Sequence, residues 1–175
     1  MLHTIQRATN IKLLVLILGV MSMEAFALKS DSEQPINIVS KEQIADFNSN
    51  KAIFLKDVVA TQGSIELRAD KAELTRNSKG ELEEVVAYGK PATFKQTQDN
   101  GKIIRSQSSV IQYIPSRKTL VLTGRATIWQ DKSHVDGERI EYNTVTKQLK
   151  ATNANHQGGR VQSTFIPQEL KKDSN

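Results

Sequence analysis

Ile65-Glu66-Leu67-Arg68-Ala69 alternates apolar and polar residues at a period of two, and the recurrence of this rhythm along the chain decides the fold. The same alternation appears in Ile36-Asn37-Ile38 and Ala45-Asp46-Phe47 on one side of it. On the other side it returns in Ala92-Thr93-Phe94, Leu120-Val121-Leu122, Ala126-Thr127-Ile128 and Ile140-Glu141-Tyr142. Turn-forming residues separate these runs, at Asn48-Ser49-Asn50, Asn77-Ser78-Lys79-Gly80, Gln98-Asp99-Asn100-Gly101 and Pro115-Ser116. Asn100-Gly101 is the best two-residue hairpin candidate, since both residues can take positive φ. No stretch holds a 3.6-residue period for three turns, so the chain is predicted to be an antiparallel all-β protein.

The strands also repeat. Phe54-Leu55-Lys56-Asp57-Val58-Val59-Ala60 resembles Val121-Leu122-Thr123-Gly124-Arg125-Ala126-Thr127 at a displacement of 67. Ala69-Asp70-Lys71-Ala72-Glu73-Leu74 resembles Gly137-Glu138-Arg139-Ile140-Glu141-Tyr142 at 68. Two multi-strand units stacked along one axis account for this, with chance likeness between alternating strands as the plainer alternative. In the runs other than Leu120-Val121-Leu122 one parity is apolar and the other polar, which gives a sheet dry on one face and wet on the other. Folded over, that dry face makes either a filled core or a groove, and both readings stay open at this level.

The first residues read as an export signal. Arg7 and Lys12 precede the short apolar run Leu13 to Met21, and Ala25-Phe26-Ala27 supplies small residues at −3 and −1 of a cleavage site. The run is about half the roughly 20 residues needed to span a bilayer. Cleavage after Ala27 is expected to leave 148 of the 175 residues, enough for one domain over 28–170 with a disordered tail at 171–175. Two cations and one anion leave with the signal, so the formal charge of +5 becomes +4. That excess is too small and too evenly spread to predict nucleic acid as a partner. The chain has no cysteine, so a fold in an oxidising compartment must stand on its core alone.

Residues for catalysis are sparse. His134 and Asp136 share a strand face and can pair, but no Gly-x-Ser-x-Gly elbow supplies a nucleophile. No His or Cys spacing suggests a metal site, and no phosphate loop or other cofactor motif is present. Asp70, Glu73, Glu138 and Glu141 recur in the repeat between basic residues, where cross-strand ion pairs explain them. The chain is therefore predicted not to be an enzyme. A hydrolase using His134 and Asp136, and a β module that binds membrane-protein segments through its edges, are the alternatives from other classes.

Tyr88-Gly89-Lys90-Pro91-Ala92-Thr93-Phe94, followed by Gln98-Asp99-Asn100-Gly101-Lys102, resembles the OstA-like family of periplasmic lipopolysaccharide-transport proteins. Gln34-Pro35-Ile36, Val59-Ala60-Thr61-Gln62-Gly63, Ala69-Asp70-Lys71 and Val121-Leu122-Thr123-Gly124 match in the same order, so the likeness runs from about Gln34 to Leu170. The resemblance implies a twisted, slightly open antiparallel β-jellyroll with a hydrophobic groove along its length. It implies lipopolysaccharide as cargo, held by its acyl chains. It also implies head-to-tail joining into a homo-oligomer, and to the inner-membrane transport complex and the outer-membrane translocon. Pro115 departs from the pattern, standing close to Tyr113 where the family has an apolar strand residue.

Strand parity within the matched segments turns Ile36, Ile38, Phe47, Phe54, Ile65, Leu67, Phe94, Tyr113, Leu122 and Ile128 inward. These are the candidate groove residues, with Ile36, Ile38, Phe94 and Tyr113 the preferred acyl contacts. Edge strands expected at Gln34–Ser40 and at about Val161–Ile166 are the candidates for joining copies.

Overall fold

The computed structural model describes residues 31–46, 48–153 and 159–167. The expected signal segment 1–27, the tail 171–175 and Phe47 lie outside the described residues.

Among the described residues ten strands follow one another: β1 (Asn37–Val39), β2 (Glu42–Asp46), β3 (Lys51–Gln62), β4 (Ile65–Arg76), β5 (Leu82–Thr97), β6 (Ile103–Ile114), β7 (Thr119–Gln130), β8 (Ser133–Asn143), β9 (Leu149–Thr152) and β10 (Gln162–Thr164). All neighbours pair antiparallel in the order β1-β3-β4-β5-β6-β7-β8-β10. Each margin of the sheet carries two short strands on one long one. β1 and β2 share β3, while β9 and β10 share β8. The expected terminal strands are therefore present as β1 and β10.

What folds this sheet over is a row of register breaks. They fall between Leu55 and Val58 in β3, Arg68 and Lys71 in β4, Tyr88 and Ala92 in β5, Gln107 and Val110 in β6, and Thr123 and Ala126 in β7. A bulge bends its strand and sharpens the local twist. One break near the middle of each long strand bends the sheet along a line, so that its two halves face each other. The cluster around Ala87, Phe94, Ile111, Leu122 and Ile140 draws on both halves. Gly89 is part of this bend. A Cβ there would lie 2.5 Å from the Ala92 nitrogen and 2.8 Å from the Pro91 carbonyl carbon, closer than real Cβ contacts allow.

The repeat is resolved at one constant offset. Phe54 opposite Ala72 corresponds to Leu122 opposite Ile140, and Val58 opposite Ala69 to Ala126 opposite Gly137, each displaced by 68. The 67-residue displacement read for the first segment is corrected by one. The bulge pair Lys56-Asp57 then aligns with Gly124-Arg125, and all four residues have positive φ. A slip of one would turn every side chain to the other face. The repeating units are the hairpins β3–β4 and β7–β8 of one continuous sheet.

Three further expectations are refined. At the Asn100-Gly101 turn only Gly101 has positive φ (77°), and Gln98 N donates to Lys102 O at 2.8 Å. This is a three-residue loop closed by a glycine rather than a two-residue hairpin. Glu73 and Glu141 pair along their strands rather than across them: Lys71–Glu73 at 2.6 Å and Arg139–Glu141 at 3.1 Å, each two residues apart on one face, whereas Lys56–Glu42 at 3.1 Å does cross from β3 to β2. Central β7 is buried on both faces. Val121, on the outer side, is 4% exposed because its register neighbours are the long side chains of Gln112 and Glu141. Pairing near Pro115 runs unbroken to Ile114, after which Pro115–Arg117 forms a single 3-10 turn.

Candidate functional site

Between the two halves of the folded sheet lies an open cavity of about 310 Å³. One wall comes from the end of the sheet that carries β1. It includes Ile36, Ile38, Ile65, Leu67 and Phe94. Facing it from the other half are Leu82, Val85, Ile111, Tyr113 and Leu120. Alternation on a half-buried strand explains this lining, since successive apolar residues of one parity all project from the same face. Burial holds the Tyr113 phenol above the ordinary tyrosine value, so it stays neutral at the cavity wall.

The N-terminal end of the cavity is held by Asp31. Its Oδ1 accepts a hydrogen bond from Ser64 N at 2.7 Å. Its Oδ2 accepts from Ser64 Oγ and from Gln96 Nε2, both at 2.8 Å. Gln62 Nε2 adds a bond to Gln34 O at 3.0 Å. The short turn Asp31–Glu33 is thus fastened to the β3–β4 hairpin and to the cavity-facing side of β5. Lys118 and Lys147 also stand on the cavity wall and place positive charge beside an apolar interior.

A second cavity of about 480 Å³ lies toward the β9–β10 margin. Ile104, Ile128, Val135, Tyr142, Leu149, Ala151 and Phe165 line it, with Lys102 and Lys147 also on its wall.

The ten predicted groove residues separate accordingly. Ile36, Ile38, Ile65, Leu67, Phe94 and Tyr113 meet around the first cavity, and Ile128 lines the second. Phe54 packs with Val58 and Ala72 in a separate small core, and Leu122 is wholly buried in the main core; neither reaches either cavity wall. Phe47 lies outside the described residues. Ile111 and Leu120 were missed, although each shares strand parity with a chosen residue, Tyr113 or Leu122. The second cavity was missed apart from Ile128: half its wall comes from β6, β7 and β8, whose Ile104, Val135 and Tyr142 were not singled out by parity, and the rest from loops and short margin strands with little periodicity.

His134 and Asp136 do pair, with Nε2 and Oδ2 3.5 Å apart. Of the neighbouring hydroxyls one bonds the pair itself and the other is engaged elsewhere. Thr127 Oγ1 donates to Asp136 Oδ1 at 2.7 Å, and Ser133 Oγ accepts from Ile166 N at 3.1 Å. The pair thus joins β8 to β7 through Thr127. Among the described residues no group of three or more His, Cys, Asp or Glu side chains is placed to hold a metal ion.

An antiparallel jellyroll left open around an apolar groove is the class of protein that this arrangement defines. The profile of the family described as "LptA/(LptD N-terminal domain) LPS transport protein" matches residues 37–148. The lipopolysaccharide export system protein LptA of Escherichia coli K12 is 38% identical over 155 residues, covering 88% of this chain and 83% of that protein. The protein of the same name from Haemophilus influenzae is 40% identical over 153 residues, covering 86% and 88%. The crystal structure of LptH, described as the LptA-homologous periplasmic component of the lipopolysaccharide transport device of Pseudomonas aeruginosa, superposes with a TM-score of 0.73 at 28% identity. It covers 79% of this chain and all of that one. The chain belongs to the LptA/LptD N-terminal-domain family of lipopolysaccharide-transport proteins.

Proposed function

We propose that this chain is a periplasmic carrier that binds lipopolysaccharide by its acyl chains and passes it from the inner toward the outer membrane, without catalysis. The observation that carries this reading is the open cavity between the sheet halves, walled by aliphatic and aromatic residues from six strands. Burying one methylene is worth about 0.8 kcal/mol, so an acyl chain of about a dozen costs on the order of 10 kcal/mol to expose to water. A groove of many similar apolar contacts removes that barrier, and Lys118 and Lys147 at its wall suit an anionic headgroup. The names of the relatives, which are export-system and transport-device components, support the same cargo.

Ile36, Ile38, Ile65, Leu67, Phe94 and Tyr113 are the acyl contacts in this reading, with Ile128 farther along the path. Export would follow cleavage after Ala27, with one working domain over 28–170. Assembly would proceed head to tail through the margins, one presenting β1 and β2 and the other β9 and β10. The partners are the inner-membrane transport complex and the outer-membrane translocon. Exposed apolar residues at both margins, Val39 (69%) and Phe165 (59%), favour joining there.

The test is binding of purified lipopolysaccharide by the native chain and by Leu67→Asp, with Lys79→Asp as the control on an exposed turn. The carrier reading predicts at least a tenfold loss for Leu67→Asp and none for Lys79→Asp. Equal binding by all three folded proteins would move the lipid off the groove and favour an edge-binding scaffold.

A further inference from the structure

The two cavities meet at three polar side chains. Gln98 stands on the wall of the first, and Tyr142 and Gln130 on the wall of the second. Gln98 Nε2 donates to the Tyr142 hydroxyl at 3.0 Å, and Gln130 Nε2 donates to Gln98 Oε1 at 3.3 Å. Gln98 is 8% exposed and Tyr142 3%. Lys147 borders both cavities, which places their mouths side by side.

We propose that the groove is two acyl-chain compartments in series, and that the Gln98–Tyr142–Gln130 cluster is the movable wall between them. The inference rests on the lipid-carrying reading and adds a second compartment and an internal step. A buried amide keeps its hydrogen-bond partners because leaving them unmade is costly. An acyl chain offers it neither donor nor acceptor. A chain advancing through the first compartment therefore stops at Gln98 until that side chain and its partners swing aside together. The second compartment takes the same ligand class. Ile104, Val135, Leu149 and Ala151 give it an apolar wall, and Phe165 and Val161, 59% and 38% exposed, leave its rim apolar as well. Polar residues line it too, among them Lys102, Asp131, Ser133, His134 and Ser163, so a chain there lies against an apolar side with charge beside it, as in the first compartment with Lys118 and Lys147. The cluster thus converts a continuous slide into two discrete holding positions.

The experiment measures affinity of the purified chain for straight-chain fatty acids of increasing length, from about eight to eighteen carbons. While a chain is still filling a compartment, each added methylene raises affinity about fourfold. For the native protein that increment is expected to stop at an intermediate length. Gln98→Ala should move the stop to longer acids. Tyr142→Phe, which keeps the ring and removes only the hydroxyl, should move it the same way by less, and it decides the question if Gln98→Ala fails to fold. An increment unbroken to the longest acid in the native chain, or a stop unmoved by the folded variants, would overturn the two-compartment proposal while leaving the groove intact. No binding of any acid by folded protein would instead overturn the carrier reading, and the compartments with it.

Discussion

Leu122 and Ile38 look interchangeable in the sequence, yet they occupy different places. Leu122 is fully buried against the main core, whereas Ile38 is half-buried on the cavity wall. Leu122→Ala should cost about 2–5 kcal/mol of stability, read as a lowered urea midpoint, with lipopolysaccharide contacts of the folded fraction unchanged. Ile38→Ala should cost less stability and weaken binding instead; the opposite pattern would exchange their roles. Tyr142 gives a pH prediction. Burial raises its phenol pKa above the ordinary 10.0, partly opposed by the Gln98 hydrogen bond. The folded state therefore holds this proton more tightly than the unfolded chain does. Its contribution is complete below pH 10 and is lost as pH rises from there through the folded pKa. Denaturation at pH 9 and pH 11 should show a smaller alkaline loss in Tyr142→Phe than in the native chain. Parity made Ile36, Ile38, Ile65, Leu67, Phe94 and Tyr113 legible, because alternation reports which face a side chain takes. It could not separate a lining residue from a packed one, since both are apolar and inward, and it read Gln98 only as part of a turn.

At the scale of elements, the strands were legible and their bends were not. Alternation marks a strand wherever one face is dry, which is why β4 and the second half of β5 stand out in the sequence. The break at Lys56-Asp57 leaves no such mark, because a bulge is a backbone event that lysine and aspartate both tolerate here at positive φ. Gly89 does announce its bend, through a residue that nothing larger can replace, and Gly124 marks another, at a φ of 83° with Ser109 Oγ 2.8 Å from where a Cβ would stand. Gly89→Ala should destabilise the fold by about 1–3 kcal/mol or more, as the added methyl meets the Pro91–Ala92 backbone. A thermal midpoint unchanged from native would show that the bend can shift to make room. The one-residue correction to the repeat has another origin, since the two bulges stand at equivalent positions and the offset is 68 on either side of them.

Across the whole molecule, the line of bulges turns a ten-stranded meander into two facing halves, and the unfilled space between them is the groove. Whether that space would be filled was not legible, because a packed interior and a lined cleft need the same binary pattern. The proposed self-association is tested at this scale. Val39→Lys on one margin and Phe165→Lys on the other put charge on exposed apolar positions without touching the core. Either change should shift sedimentation toward the monomer at a concentration where the native chain associates. Equal sedimentation of native and variant proteins would mean that copies join elsewhere.

The central claim, that lipid travels inside the fold, is tested most directly by placing a photo-crosslinking amino acid at Ile38, Phe94 and Tyr113, with Lys79 on its exposed turn as the control, in living cells. The account predicts lipopolysaccharide adducts at the three interior positions and none at Lys79. Folded, exported protein that gives no adduct at any interior position would contradict it and leave the cavity as a gap in packing.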